Sequence, residues 1–143
     1  MKDLILKDVS FSYPGGFLAV DNINMEIKGG ENVAIVGQNG AGKTTTVKMM
    51  NGLLRPTQGD VLIGDMNTKK YTTAQISRVV GYVFQNPDDQ IFHSTVESEV
   101  RFGPKMMKLD PAEEDKRVES ALKITGMDVY RDENPFNLPL STR

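Results

Sequence analysis

One stretch of the sequence matches the phosphate-binding pattern G-x-x-x-x-G-K-[ST] at every fixed position: Gly37-Gln38-Asn39-Gly40-Ala41-Gly42-Lys43-Thr44. Glycines let the backbone turn tightly and bring its N–H groups close to phosphate oxygens, where a Cβ would intrude. Lys43 would place its charge on the β- and γ-phosphates, and the Thr44 hydroxyl would ligate Mg²⁺. Thr45 is a neighbouring candidate for a phosphate contact. The pattern therefore predicts a site for a nucleoside triphosphate.

The segments on either side of this loop provide the setting that the pattern requires. Ahead of it lies Val33-Ala34-Ile35-Val36, a continuous apolar stretch that predicts a strand buried on both faces. Behind it, residues 44–51 predict a helix that is ended by Gly52. A helix that begins near Lys43 would add the positive end of its dipole and its unpaired N–H groups to the site. The order of strand, glycine-rich loop and helix supports the nucleotide prediction.

The first part of the chain predicts antiparallel β-structure around this loop. Strand-like patterns cover residues 4–11 and 23–27, and a turn at Pro14-Gly15-Gly16 separates them. Further strands are predicted at Val61-Leu62-Ile63 and over residues 79–84, with a weak helix around residues 73–77.

From Gln85 onward the pattern becomes helical. Ser94-Thr95-Val96-Glu97 resembles a capping box and opens a helix that is expected to stop at Gly103-Pro104. Asp110-Pro111-Ala112-Glu113 opens a second helix, which Gly126 is expected to end. We therefore expect two parts: residues 1–88, a β subdomain with part of the nucleotide-binding core, and residues 89–143, part of a helical subdomain.

The overall composition restricts the class of protein and of partner. With 143 residues, 38% apolar and 25% charged, the chain has the composition of a globular domain. A formal net charge of −2 without a basic patch argues against nucleic-acid binding. No apolar run is long enough to span a bilayer, and the N-terminus has no secretory signal pattern. The absence of cysteine excludes disulfides and thiolate metal sites.

Several further motifs point to one family. Phe11-Ser12-Tyr13-Pro14, the phosphate loop and Gln85 resemble the ATP-binding subunit of ATP-binding-cassette (ABC) transporters. Residues 83–92, followed by Thr95-Val96 and Arg101-Phe102-Gly103-Pro104, resemble the energy-coupling-factor type, which drives uptake of cobalt, nickel or vitamins. The resemblance covers essentially the whole chain. It implies an α/β phosphate-loop NTPase fold with an N-terminal antiparallel β subdomain and the start of an α-helical subdomain.

The resemblance also implies roles for individual residues. Tyr13 matches the aromatic residue that stacks on adenine, and Phe17 is a weaker candidate for the same contact. Gln85 matches the glutamine that reaches Mg²⁺ and the attacking water, since its amide can accept at the metal and donate to a water. The expected catalytic residues are thus Gln85 and Lys43. The expected metal contacts are Thr44 and Gln85, and the expected cofactors are ATP and Mg²⁺.

For the whole assembly, the resemblance implies an ATP-hydrolysing subunit that powers transport at the cytoplasmic face of the cell membrane. Its expected partners are a transmembrane coupling protein, a substrate-binding membrane component and a second ATPase subunit, identical or related. Two such subunits would enclose two ATP molecules head to tail. No nucleic-acid partner is expected.

One departure from the family pattern bears on hydrolysis. The family signature L-S-G-G-Q corresponds here to Leu138-Pro139-Leu140-Ser141-Thr142-Arg143. Its start aligns with either Leu138 or Leu140-Ser141, and neither alignment supplies the two glycines. No apolar run ending in the Mg²⁺-binding Asp appears after Phe84, and the general-base Glu and switch His of the family are not found. We therefore expect an N-terminal fragment with an incomplete core sheet. The alternative interpretation of its function is a nucleotide-binding module that does not hydrolyse ATP.

Other interpretations remain weaker. His93, the only histidine, is not at the position of the family's catalytic histidine, and Asp88-Asp89 is read as a solvated loop because no third metal ligand has suitable spacing. A soluble ABC ATPase acting on DNA or ribosomes is disfavoured by the charge and by the motif Asn86-Pro87-Asp88-Asp89-Gln90. A nucleotide kinase is disfavoured because a β-rich segment precedes the phosphate loop.

Overall fold

The computed structural model describes residues 2–143, and the chain forms two compact units. The first ends at Tyr82 and the second runs from Val83 to Arg143. The assignment of residues 1–88 and 89–143 to the subdomains of the family stays a prediction. No helix in the described part of the chain combines the length and the apolar character that a membrane span needs.

The first unit is built on an antiparallel sheet, as the sequence predicts. Its strands are β1 (Leu4–Ser12), β2 (Leu18–Ile27), β3 (Gln58–Ile63) and the short β4 (Met66–Asn67), in the order β2-β1-β3-β4. Strand β1 lies in the middle, where Leu6 pairs with Met25 on one side and with Val61 on the other. The predicted strands at 4–11, 23–27 and 61–63 are confirmed, whereas β4 was not predicted because two residues carry no periodic signal.

One helix covers this sheet and positions the phosphate loop. Helix α1 (Lys43–Met50) buries Met49 and Met50 in the same apolar cluster as Leu6, Val9 and Val61. The helix follows the prediction for residues 44–51, with Gly52 just beyond it at φ 74°. In its first turn Thr45 and Thr46 are also buried, whereas Thr44 is exposed and can face a ligand.

Two shorter elements complete the first unit. A 3-10 turn at Thr68–Lys70 follows β4, and Asn67 caps it through its side chain. The predicted weak helix is confirmed as α2 (Thr73–Ile76), which opens with a capping box between Thr72 and Gln75 and buries Ile76 completely.

Two predicted strands are wrong. Residues 33–36 and 79–84 carry no strand hydrogen bonding, and Val33, Val36, Val79 and Val83 are exposed. A strand buried on both faces needs hydrogen-bonded neighbours on both sides. The four-stranded sheet of the described residues pairs with neither segment. Of the first stretch, Ile35 alone packs against the apolar cluster of the unit.

The second unit is helical, as predicted. It contains α3 (Val96–Met106) and α4 (Pro111–Thr125), with 3-10 turns at Pro87–Asp89, Asp128–Tyr130 and Pro135–Asn137. The capping box of α3 joins Thr95 to Ser98, one residue later than the predicted box from Ser94 to Glu97. Helix α4 has Asp110 as its N-cap. Gly126 ends α4 in the left-handed conformation at φ 69°.

The predicted end of α3 at Gly103-Pro104 is wrong. The helix continues to Met106 and ends where Lys108 takes a left-handed φ of 56°. Gly103 has no positive φ and therefore does not end the helix. Its carbonyl accepts the N–H of Met107 at 3.1 Å, so the helical hydrogen bonding continues past Pro104. Proline removes one donor from a helix without always ending it.

Ion pairs and a small apolar core hold α3 against α4. Arg101 of α3 contacts Glu97 one turn earlier at 2.8 Å and reaches across to Glu114 and Asp115 of α4 at 2.9 and 2.6 Å. Beneath them lies an apolar cluster: Val96, Val118, Leu122 and Leu138. Val118 and Leu122 lie four residues apart, on one face of α4.

Candidate phosphate-binding site

The loop before α1 has the backbone conformation that its glycines allow. Gly40 and Gly42 have φ values of 84° and 81°, a region that residues with a Cβ rarely enter. A Cβ on Gly42 would also lie 2.4 Å from the carbonyl oxygen of Ala19, at the start of β2. Gly37 is different, because its φ is ordinary and a Cβ there would meet Ala41 at a comfortable 3.5 Å. The backbone thus requires glycine most strongly at position 42.

The first turn of α1 presents unpaired backbone donors. The first N–H of this turn with an acceptor is that of Thr46, which bonds to the Gly42 carbonyl at 2.8 Å. Among residues 2–143, the N–H groups of Lys43, Thr44 and Thr45 have no hydrogen-bond acceptor. No acidic residue lies in this turn to compensate the positive end of the helix. Such a turn is suited to bind an anion.

Lys43 adds a full positive charge beside these donors. Its ammonium donates to the carbonyl oxygens of Gly37 and Gln38, each at 2.8 Å. The side chain thus links the start of α1 to the first two residues of the loop. Within the described chain it has no carboxylate partner. The remaining charge of the lysine is therefore available to a phosphate group.

The structure brings Tyr13 to the phosphate loop. The Tyr13 hydroxyl and the Thr45 hydroxyl share a hydrogen bond of 3.0 Å, although the residues lie 32 positions apart. Thr45 is only 7% exposed, whereas the Tyr13 ring is 39% exposed and is braced edge-on by Phe11 with 4.9 Å between ring centres. A ring that is held by one perpendicular neighbour and is still partly exposed can receive a flat ligand.

Phe17 lies in the same tight loop as Tyr13. Its carbonyl accepts the N–H of Tyr13 at 2.9 Å, and its ring is exposed. Both aromatic candidates for base stacking are thus carried by the turn between β1 and β2, but the Tyr13 ring alone makes a ring contact that fixes its direction.

Gln85 belongs to the second unit and is exposed. It precedes a turn that Asn86 caps by accepting the N–H of Asp88 at 3.3 Å, and the side chain of Gln90 accepts the N–H of Phe84 at 3.4 Å. This network shapes the backbone around Gln85 and leaves its amide uncommitted within the described residues. Its role toward Mg²⁺ and water stays a prediction.

The residues near the loop fit a magnesium ion that is held chiefly by phosphate and water. No group of three His, Asp or Glu side chains in residues 2–143 could form a metal site. Thr44 is exposed at the second position of α1, and its hydroxyl has no partner among the described residues. Mg²⁺ in nucleotide sites takes few protein ligands besides the phosphates, so a hydroxyl at this position is a sufficient donor.

His93 makes local contacts within the second unit. Its ring nitrogen Nδ1 is 3.0 Å from the carboxylate of Glu99, which also accepts the backbone N–H of His93 at 2.8 Å. The ring packs against Phe92 and Phe102. The histidine thus helps to hold the segment before α3.

Sequence reasoning missed two features of the site. The hydrogen bond between Tyr13 and Thr45 and the close approach of Ala19 to Gly42 both join segments that are distant in the chain. Neither residue pair has a local spacing that could have revealed it, since strand pairing and helix packing decide which turns meet.

Comparison with known proteins identifies the family. The family model described as ABC transporter matches residues 20–141, a range that includes the whole phosphate loop. This chain belongs to the ABC transporter family. The resemblance seen in the motifs, and with it the fold class, is thereby confirmed.

The relatives within the ABC transporter family include energy-coupling-factor proteins. A putative ABC transporter ATP-binding protein of Pyrococcus abyssi is 50% identical over 132 residues, which are 92% of this chain and 50% of that protein. The energy-coupling factor transporter ATP-binding protein EcfA of Methanocaldococcus jannaschii is 46% identical over 134 residues, 92% of this chain and 48% of EcfA. The chain thus spans about half the length of these relatives.

Solved structures of the same family have a similar backbone. CbiO1 from Clostridium perfringens, part of the ABC transporter complex cbiONQ, has a TM-score of 0.82 and 37% identity, with 96% of this chain and 55% of that chain covered. A dimeric ATP-binding cassette in a post-hydrolysis state, bound to ADP and Pi, has a TM-score of 0.82 and 28% identity, with 97% of this chain and 64% of that chain covered.

Proposed function

We propose that this chain provides the phosphate-binding half of an ATP-hydrolysing subunit that powers an ABC transporter for metal-ion or vitamin uptake. The observation that carries the proposal is the first turn of α1, where unpaired N–H groups and the charge of Lys43 converge. The named relative EcfA and the complex containing CbiO1 support the energy-coupling-factor type.

In this proposal, the described residues bind both ends of ATP. Tyr13 stacks on adenine, while the N–H groups of the loop and Lys43 hold the phosphates. Thr44 ligates Mg²⁺, which neutralises phosphate charge when it is bound. The protein contributes positioning and electrostatic stabilisation, since phosphoryl transfer to water needs no covalent intermediate with a side chain.

The proposed assembly places the protein at the cytoplasmic face of a membrane. Its partners there are a transmembrane coupling protein, a substrate-binding membrane component and a second ATPase subunit. ATP binding would close the two ATPase subunits on each other, and hydrolysis would open them. CbiO1 is similar to this chain and is part of a transporter complex, and this likeness supports such a role.

The rate of ATP hydrolysis by the full-length protein with its partners tests the proposal. We expect Gln85→Ala to lower kcat by about tenfold or more, because water and metal would lose their orientation, while ATP still binds. Gln58→Ala, an exposed glutamine at the start of β3, is the matched control and should leave kcat unchanged. A wild-type protein that does not hydrolyse ATP in this assembly would contradict the proposal.

The segment at residues 138–143 favours a second candidate, a nucleotide-binding module without turnover. Its sequence lacks the two signature glycines, Leu138 is buried, and the N–H groups of Thr142 and Arg143 both bond to the Pro139 carbonyl. This turn offers no glycine backbone for close approach to a phosphate. If the departure limits turnover, replacing Leu140 and Ser141 by glycine should raise the ATPase rate of the full-length assembly; an unchanged rate would contradict this candidate.

A further inference from the structure

We propose that the Tyr13 hydroxyl is a positioning group for the phosphate end of the nucleotide, because it sets the direction of the Thr45 hydroxyl. This inference rests on the proposed function and adds a second role to Tyr13 beside base stacking. Its starting point is the 3.0 Å hydrogen bond between the two hydroxyls.

Two neighbouring threonines in α1 use their hydroxyls in different ways. The Thr46 hydroxyl donates back to the Gly42 carbonyl at 3.0 Å, which is the usual bond of a threonine to the preceding turn of its own helix. The Thr45 hydroxyl bonds instead to Tyr13, in the turn between β1 and β2. Tyr13 therefore holds Thr45 away from the back-bonded arrangement that Thr46 adopts.

The chemistry of the two hydroxyls determines the direction of the bond when a phosphate is present. A threonine hydroxyl has one proton and two acceptor sites, and a phenol is the better donor of the two groups. When Tyr13 donates to Thr45, the Thr45 proton is free to point at an acceptor. Phosphate oxygens can only accept hydrogen bonds. If Thr45 donated to Tyr13 instead, the lone pairs of the Thr45 oxygen would face the lone pairs of the phosphate.

The surroundings fix the two groups in this relation. The Thr45 side chain is nearly buried, and Phe11 braces the Tyr13 ring edge-on. The close approach of Gly42 to Ala19 holds the start of α1 against the start of β2, which follows the Tyr13 turn. Because both partners are held by separate contacts, removing the Tyr13 hydroxyl would release the Thr45 proton without moving the ring.

Binding of magnesium tripolyphosphate, which has no base, separates this role from stacking. In the full-length protein, Tyr13→Phe should weaken binding of tripolyphosphate and of Mg·ATP by a similar factor, about three- to tenfold, the worth of one hydrogen bond. Thr45→Val should have the same effect. The double variant should lose no more than Thr45→Val alone, because the two hydroxyls act as one unit.

Three controls make the outcome specific. Thr46→Val removes the back-bonded hydroxyl and should leave both affinities unchanged, while Thr45→Ser keeps the hydroxyl and should retain wild-type binding. Tyr71→Phe removes a phenol elsewhere in the first unit and should have no effect. Equal tripolyphosphate affinity of wild type and Tyr13→Phe, or a double variant whose loss is the product of the two single losses, would overturn the inference. Absence of saturable ATP binding by the wild type would contradict the proposed function as well.

Discussion

Gly42 is the residue on which the geometry of the phosphate loop depends most. It caps α1 in the left-handed conformation, and its α-carbon faces the Ala19 carbonyl so closely that a Cβ would lie 2.4 Å away. Gly40 has nearly the same φ, but a Cβ there would meet no atom within 4 Å. Comparing alanine variants at the two positions therefore distinguishes the energetic cost of the left-handed backbone conformation from the cost of steric overlap with Ala19.

Alanine at these two positions should have unequal effects on stability. Gly40→Ala is expected to lower the free energy of unfolding by about 1–2 kcal/mol, the cost of a left-handed residue with a Cβ. Gly42→Ala should cost about 1–3 kcal/mol more because the backbone of β2 must also move. Denaturant unfolding of both variants measures this difference. Equal losses would show that Ala19 yields without cost.

At the scale of the elements, helix α3 and helix α4 contain glycines of opposite character. Gly103 lies inside α3 without a positive φ, and Gly126 ends α4 at φ 69°. Apart from its neighbours in the chain, a Cβ would meet no atom within 4 Å at either position. At Gly103 the next residue is Pro104, whose ring crowds the Cβ of a preceding residue in helical conformation.

Alanine should therefore destabilise the end of α4 more than the interior of α3. Gly103→Ala is expected to change the free energy of unfolding by less than about 1 kcal/mol, since the gain in backbone entropy is offset by crowding against the Pro104 ring. Gly126→Ala should lower it by about 1–2 kcal/mol. Thermal and denaturant unfolding of the pair provide the measurement, and a larger loss in the Gly103 variant than in the Gly126 variant would contradict the helix boundaries.

An ion pair between α4 and the turn that follows it should make stability depend on pH. Arg131 donates to Glu119 and thereby lowers the pKa of that carboxyl. A carboxyl with a lowered folded pKa stabilises the protein above its unfolded pKa, near 4.3, and this stabilisation is lost as the pH falls through the folded pKa.

Glu119→Gln should accordingly flatten the decline of stability in acid. Unfolding free energies from pH 6 down to about pH 3 should fall less steeply in this variant than in the wild type. The salt dependence at neutral pH should also decrease, because the exposed pair is screened. Asp65→Asn, an exposed turn residue without an ion pair in the described chain, is the control. Parallel pH profiles of the Glu119 variant and the wild type would contradict this role.

The same elements show which structural features can be predicted from local sequence. Asp110 and Gly126 predicted the two ends of α4, and the box at Ser94 to Glu97 predicted the start of α3 to within one residue, because capping is a local interaction between neighbouring residues. The apolar stretches at 33–36 and 79–84 predicted strands, but a strand also needs partners, and these are decided by distant parts of the chain. For the same reason the glycines and Lys43 could be assigned to a phosphate loop from spacing, whereas the contact of Tyr13 with Thr45 could not.

At the scale of the whole molecule, each unit exposes large apolar side chains. Val36 in the first unit is 89% exposed and Val83 in the second is 86% exposed. Both lie in the apolar stretches that form no strand here. Exposed apolar segments favour association with other chains.

We therefore expect the 143-residue chain, expressed alone, to self-associate. Sedimentation should show an average mass that rises with concentration, and Val83→Lys should weaken the association. Ser120→Lys adds the same charge to an exposed polar position of α4 and should not. A monomer at all concentrations would contradict this expectation.

Calorimetric titration of the full-length protein with Mg·ATP measures whether the loop before α1 binds the phosphates of ATP. We expect saturable binding that Lys43→Met weakens by about tenfold or more, since a charge-assisted hydrogen bond to phosphate is lost. Lys48→Met, in the same helix but at its far end, should bind as the wild type does. Equal affinity of wild type and Lys43→Met, or no binding by the wild type, would contradict this role of the loop.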